Sequence, residues 1–183
     1  EIGMTNLRLP RLDMYVDVML KNNCRIASKV LPQSAVLKLA QRSCRDSART
    51  PMQWTGGPWA GFSETRPWFY LNENYRDVNV EVEERDPDSL LNFYRELIAF
   101  RKAEPLVMEG EYKEHLRQSP NFYVYSREAG GRRLLVICSF ADKDTYFTAP
   151  EGFDLMQGRL VLKNYEMNLV INNCFTARPY ELR

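Results

Sequence analysis

The feature that most limits what this chain can become is a change of apolar period at Pro105. Before it, Leu90, Leu91, Tyr94, Leu97, Ile98 and Arg101 fall at helical spacing, which predicts a helix with one buried face. Asp86 is placed to cap that helix, Pro87 to occupy its first position, and the early acids to meet the positive end of its dipole. Pro105 is expected to end it. After Pro105 the period becomes two. Residues 122–127 and 134–140 read as strands joined across Gly130-Gly131, a hairpin signal. Further strands are expected over 110–116, 145–148, 158–162 and 167–172, with Gly, Pro, Asn and Asp between them, the pattern of an antiparallel sandwich. The expected fold class is therefore α+β.

Upstream the pattern is weaker. Residues 14–20 have mixed apolar spacing that Asn22-Asn23 should break. Ser34, after Pro32, is a candidate N-cap for a helix that buries Val36, Leu37, Leu39 and Ala40 and ends near Arg45. Then comes Arg45-Asp46-Ser47-Ala48-Arg49-Thr50-Pro51-Met52-Gln53-Trp54. Pro51 biases Thr50 toward an extended backbone, and guanidinium groups on such a loop can hold hydroxyls or carboxylates in fixed geometry. On physical grounds alone this is a polar anchoring loop, with Asp46 tying the loop to itself. Residues 55–80, rich in Gly, Pro and aromatics, are expected to lack regular structure. Trp54 and Trp68 are expected to pin that excursion in place, whereas Trp59 suits pinning or sugar stacking equally.

Composition excludes several function classes. A net charge of +1 offers no field for polyanions, so neither nucleic acid nor an acidic membrane surface is an expected partner. The apolar run over 134–140 is far too short to span a bilayer. Cys24, Cys44, Cys138 and Cys174 are widely spaced and, with the single His115, give no zinc-ligand pattern; no metal or cofactor is expected. Free thiols in a reducing compartment fit a cytoplasmic protein, although a disulfide between two of them stays open, because distance in sequence does not fix distance in space.

The decapeptide resembles the Arg-Asp-Asn-Ala-Arg-Thr-Pro-Met-Gln-Trp loop of the α-glucosidase branch of the α-amylase family of glycoside hydrolases, with Ser47 where Asn is usual. Other matches follow in order: Glu1-Ile2-Gly3-Met4-Thr5-Asn6, Ala60-Gly61-Phe62, Pro67-Trp68, Asn72-Glu73-Asn74-Tyr75, Asn79-Val80, and the run from Asp86 to Arg95. The resemblance implies the last loop and last helix of a truncated (β/α)8 barrel over residues 1–104, followed by a C-terminal antiparallel β-domain over 105–183. Pro179-Tyr180-Glu181-Leu182-Arg183 resembles the opening of that domain's last strand, so both ends of the chain look truncated.

By the same resemblance, Arg45 matches an arginine that contacts the sugar at the nonreducing end, with Arg49 close by as a substrate-binding or salt-bridging residue. Retaining glycoside hydrolysis needs two carboxyl groups roughly 5–5.5 Å apart. In the family these lie on earlier barrel strands, so no catalytic residue is expected here: Asp86 and Asp88 serve a helix start, and Glu83-Glu84 a polar linker. His115 is expected to be a packing or surface residue. Two readings stand. The chain is a C-terminal portion of an α-glucosidase acting on oligosaccharides, most like oligo-1,6-glucosidase, and inert alone; or it is a noncatalytic carbohydrate-binding or assembly module. A remnant reading frame is a third. The apolar stripe on the last barrel helix should lie uncovered, which predicts self-association or pairing with the N-terminal barrel portion.

Overall fold

The computed structural model describes residues 1–166 and 169–183. It divides into two compact units, Glu1–Tyr94 and Arg95–Arg183.

In the first unit, α1 (Val18–Ala27) and α2 (Gln33–Ser43) each present an i,i+4 pair to one core. Leu20 and Cys24 come from α1 and Val36 and Ala40 from α2; Leu7, Leu9, Tyr15, Cys44 and Phe69 complete the cluster. Asp17 caps α1, its carboxylate accepting from the Leu20 amide at 3.0 Å. Three sequence expectations fail here. Asn22-Asn23 lies inside α1 and does not break it: the propensity cost of about 0.7 kcal/mol or less per residue is small beside the burial of Leu20 and Cys24. Ser34 does not cap α2; Pro32 holds the cap position, its carbonyl accepting from the Ala35 and Val36 amides. Leu39 is exposed, because the buried face runs through Val36 and Ala40 and Leu39 sits well off it.

Residues 50–79 are irregular apart from short 3-10 turns at Pro58–Gly61 and Glu73–Arg76. They lead into α3 (Val80–Arg85), capped by Asn79 through the Val82 amide at 3.0 Å. Glu83 and Glu84 therefore lie on a helix and not in a linker. Glu83 Oε2 accepts from the Leu91 amide at 3.1 Å and so serves the start of α4 (Leu90–Ala103). The expected caps of α4 shift as well. Asp86 closes the preceding turn onto the Asp88 amide, while Ser89 Oγ accepts from Asn92 N at 3.2 Å. No residue of α4 is buried: Leu90, Tyr94 and Ile98, each one turn apart, form an uncovered apolar stripe. Pro105 does not merely end α4; it opens α5 (Pro105–Glu109), whose start is capped by Glu104.

The second unit is β-rich. β1 (Glu111–His115), β2 (Phe122–Ala129) and β3 (Arg132–Ser139) form an antiparallel sheet in that order, and β4 (Thr145–Thr148) pairs with β5 (Cys174–Ala177) in another. Ala129 faces Arg132 in register, so Gly130 and Gly131 make a two-residue turn. Both have positive φ, 57° and 75°, the conformation a type I′ turn requires, and no atom lies within 4 Å of where a Cβ would sit on either. The two sheets share one core: Val124 and Ile137 meet Phe147, Phe175 and Ala177. Phe147 is its hub, with ring centroids 5.0 Å from Phe122 and 5.1 Å from Phe175. Beyond β5, residues 181–183 lie along β3 through Ser139 N to Glu181 O and a reciprocal pair between Ile137 and Arg183.

Two expected strands are not seen. Residues 158–162 form no strand, and Leu160 and Val161 are exposed. Of the expected strand 167–172, Met167 and Asn168 lie outside the described residues, and 169–172 contribute only the isolated bridge of Ile171 to Cys174. β5 takes the place expected there. His115 packs on β1 edge-on to Phe153, its Nε2 3.0 Å from Ser126 Oγ, and burial lowers its pKa.

Candidate functional site

The arginine loop forms where α2 stops. Cys44 is extended, Arg45–Arg49 make a 3-10 turn, and Thr50 before Pro51 is extended again, φ −65° and ψ 148°. Loop and core are bound by one carboxylate. Asp46 is fully buried, and its Oδ2 accepts from the amides of Val16 at 2.7 Å and Asp17 at 3.1 Å. Its Oδ1 meets Arg49 Nη1 at 3.5 Å. Asp46 thus ties the loop to residues 16–17, with the internal bond to Arg49 the longer one. Ser47, at the position where the resembling motif carries Asn, is used: its Oγ accepts from the Leu7 amide at 3.2 Å.

Arg45 is oriented by Asp17, a partner 28 positions away. Asp17 Oδ2 accepts from Arg45 Nε at 3.0 Å while its Oδ1 caps α1. The Leu20 amide first, and then the Arg45 guanidinium, hold the Asp17 carboxyl below the ordinary carboxylate range against the opposing effect of burial. Asp17 is buried and Arg45 exposed. Because only Nε is engaged, the two terminal nitrogens of Arg45, the pair suited to forked recognition, have no hydrogen bond among the described residues. The two arginines do not share an acid. They are joined through their acids, since Asp46 accepts the Asp17 amide.

Asp17 and Asp46 are buried carboxylates near each other in this network, and they do not form an acid and nucleophile pair. Every oxygen of both is already an acceptor, and a depressed pKa unfits Asp17 for proton donation near neutrality. Beside them, burial pushes the Cys44 thiol up to about 11. The four cysteines are unpaired, and among the described residues no group of His, Cys, Asp and Glu is placed to hold a metal ion.

The excursion after the loop is held by buried amides. Gln53 donates to Val78 O and to Asn74 Oδ1, Asn79 to the carbonyls of Tyr75 and Arg76, and Asn72 to Thr5 O at 2.6 Å. These side chains hold the excursion within its own unit. Trp54, Trp59 and Trp68 are all exposed, Trp68 at 82%. Asp17 was absent from the residues singled out in the sequence, although it had a local signal, an acid three positions before Leu20 at a helix start. Gln53 and Asn72 stood there only as members of the resembling motifs, with no role assigned, because their partners are distant.

A family model described as "Alpha amylase, catalytic domain" matches residues 1–110. The chain is 37% identical over 185 residues to the probable oligo-1,6-glucosidase 2 of Bacillus subtilis strain 168, covering 100% of this chain and 33% of that protein. It is 38% identical over 190 residues to the trehalose-6-phosphate hydrolase of Escherichia coli K12, covering 99% of this chain and 33% of that one. The crystal structure of Bacillus licheniformis trehalose-6-phosphate hydrolase matches 99% of this chain with a TM-score of 0.90 and 31% identity, again over 33% of its own length. The chain spans about a third of the length of the curated relatives it matches.

Proposed function

The chain belongs to the α-amylase family, and from that premise we propose that it is the C-terminal portion of an α-glucosidase of the oligo-1,6-glucosidase kind, hydrolysing terminal α-linked glucose in short oligosaccharides. Residues 1–104 would close a catalytic barrel and 105–183 form its β-domain. The observation that carries the reading is Arg45: its Nε is anchored by a buried, ionised Asp17, and its forked end is left to hold sugar hydroxyls. Arg49, bonded to Asp46, has the lesser role of keeping the loop in place. The acid and the nucleophile of a double displacement would come from other polypeptide. Retention of the anomeric configuration, a cytoplasmic location and pairing of the uncovered α4 stripe with the rest of a barrel belong to the same proposal.

The test is complementation. The chain is co-expressed with the N-terminal two thirds of the B. subtilis relative, and hydrolysis of an aryl α-glucoside is followed. Activity is expected from the pair and from neither part alone, with Arg45→Ala raising KM more than it lowers kcat. Turnover by this chain alone that survives repurification overturns the proposal, as does an Arg45→Ala pair indistinguishable from the parent. The second reading, a noncatalytic carbohydrate-binding module, is favoured by the exposed tryptophans of residues 54–68.

A further inference from the structure

We propose that the first unit carries a carbohydrate-binding site apart from Arg45, in the open cleft walled by Trp59, Trp68 and Tyr70, and that its ligand is a short glucose oligosaccharide. The cleft encloses ≈ 470 Å³, and Asp13 and Arg66 also line it. That volume falls within the roughly 300–1,000 Å³ usual for small-molecule sites.

Its walls are built from consecutive aromatics. Phe69 is buried in the first unit's core, while its neighbours Trp68 and Tyr70 are exposed to either side of it. Phe69 lies 5.2 Å from the Trp68 ring and 5.7 Å from the Tyr70 ring, centroid to centroid. One anchored ring thus sets the position of two outward ones. Trp59 comes from a different turn, and its backbone is unusual. Trp59 and Ala60 have φ of 52° and 57°, the left-handed region that residues other than glycine seldom occupy.

That conformation is over-determined. Ala60 is fully buried, its carbonyl accepts from both the Trp54 and Thr55 amides, and its own amide donates to Gly57 O. Gly61 follows with φ +64°, and a Cβ there would meet Thr55 Oγ1 at 2.8 Å. Residues kept in such conformations cluster at ligand sites, because the surroundings hold them for a purpose other than local comfort. Here the strained turn presents an indole at the mouth of the cleft.

The lining suits an amphipathic ligand. Indole and phenol faces accept the apolar face of a pyranose, and the polar groups satisfy its rim hydroxyls. Asp13 already pairs with Arg11, which lowers the Asp13 pKa, so it stands as an ionised acceptor. Arg66 has no hydrogen bond among the described residues and supplies donors. Arg11 offsets the charge of Asp13, so Arg66 is the lining's uncompensated cation among the described residues, a donor set beside aromatic faces. Preferring a glucose oligosaccharide over other amphipathic neutrals rests on the α-glucosidase reading.

The experiment titrates this 183-residue chain with maltotriose and with isomaltotriose, following tryptophan fluorescence and heat. A saturable change with a millimolar Kd is expected for at least one of them. Trp68→Ala, at a position too exposed to affect folding, should weaken it about tenfold, the equivalent of about 1.4 kcal/mol. Phe140→Ala, at an exposed aromatic of the second unit, should leave Kd within about twofold. No saturable change with either sugar overturns the proposal, and so does a Trp68→Ala Kd within about twofold of the parent's. The complementation assay needs no sugar in this cleft, and the titration needs no catalysis, so each reading fails separately.

Discussion

The two units solve the same problem with different means. The second pairs its backbone in ladders and buries a ring cluster between two sheets, so its stability is spread over many repeated contacts. The first has few ladders to use. A short apolar core under two helices is supplemented by single side chains that satisfy backbone groups, close by for Asp17 and Asn79 and far along the chain for Asp46, Gln53 and Asn72. Irregular backbone must find hydrogen-bond partners somewhere, and in the first unit buried carboxylates and amides provide them. The lesson is that the unit holding the candidate sites relies on single polar side chains for its backbone partners, while the periodic unit relies on ladders and on one ring cluster.

The largest effect should separate hub from ladder in the second unit. Phe147→Ala removes the ring that joins both sheets and should cost about 3–5 kcal/mol in urea unfolding. Tyr146→Ala, one residue away on the exposed face, should cost about 1 kcal/mol or less. Equal losses would dissolve the distinction. Next, Asp46→Ala strands the buried Asp17 amide and the part-buried Val16 amide and should cost about 3 kcal/mol, read as faster amide exchange at residues 7–17. A variant as stable as the parent would mean that the first unit does not depend on single polar residues.

A smaller effect follows pH. Asp17 in the first unit and Glu104 in the second both have depressed pKa values, the first through the Leu20 amide, the second through a bidentate Arg132 at 3.0 and 2.6 Å. A depressed carboxyl contributes stability above its unfolded pKa of about 4 and loses it as pH falls through the folded value. Acidification below about pH 4 should therefore weaken both units, and Asp17→Asn and Glu104→Gln should each flatten that dependence in acid melts. The smallest expected change is Leu39→Ala, about 0.5 kcal/mol or less, because that side chain is exposed on α2; Val36→Ala, fully buried one turn away, should exceed it clearly in the same melts.

What could be read in the sequence follows the same division. β4 and the β2–β3 hairpin stand close to their expected positions because alternation and a Gly-Gly turn are local signals. β5 escaped because only Phe175 and Ala177 of its short length point inward, and the Asn172-Asn173 turn before it, with φ of 50° and 60°, was the cue to use. In the first unit the decapeptide marked Arg45 and Arg49, but nothing local shows that Asp17 would grip Arg45, or that Gln53 would reach Val78. The three tryptophans are exposed, and the buried amides that hold the excursion within its unit carry no comparable local signal.

The vacant space around Gly130 and Gly131 has a practical side. A turn whose backbone is fixed by its own ladder, and whose outward side touches nothing, is a natural attachment point. A peptide tag or a dye grafted at that tip would leave the aromatic hub of its own unit untouched, giving a reporter for assembly.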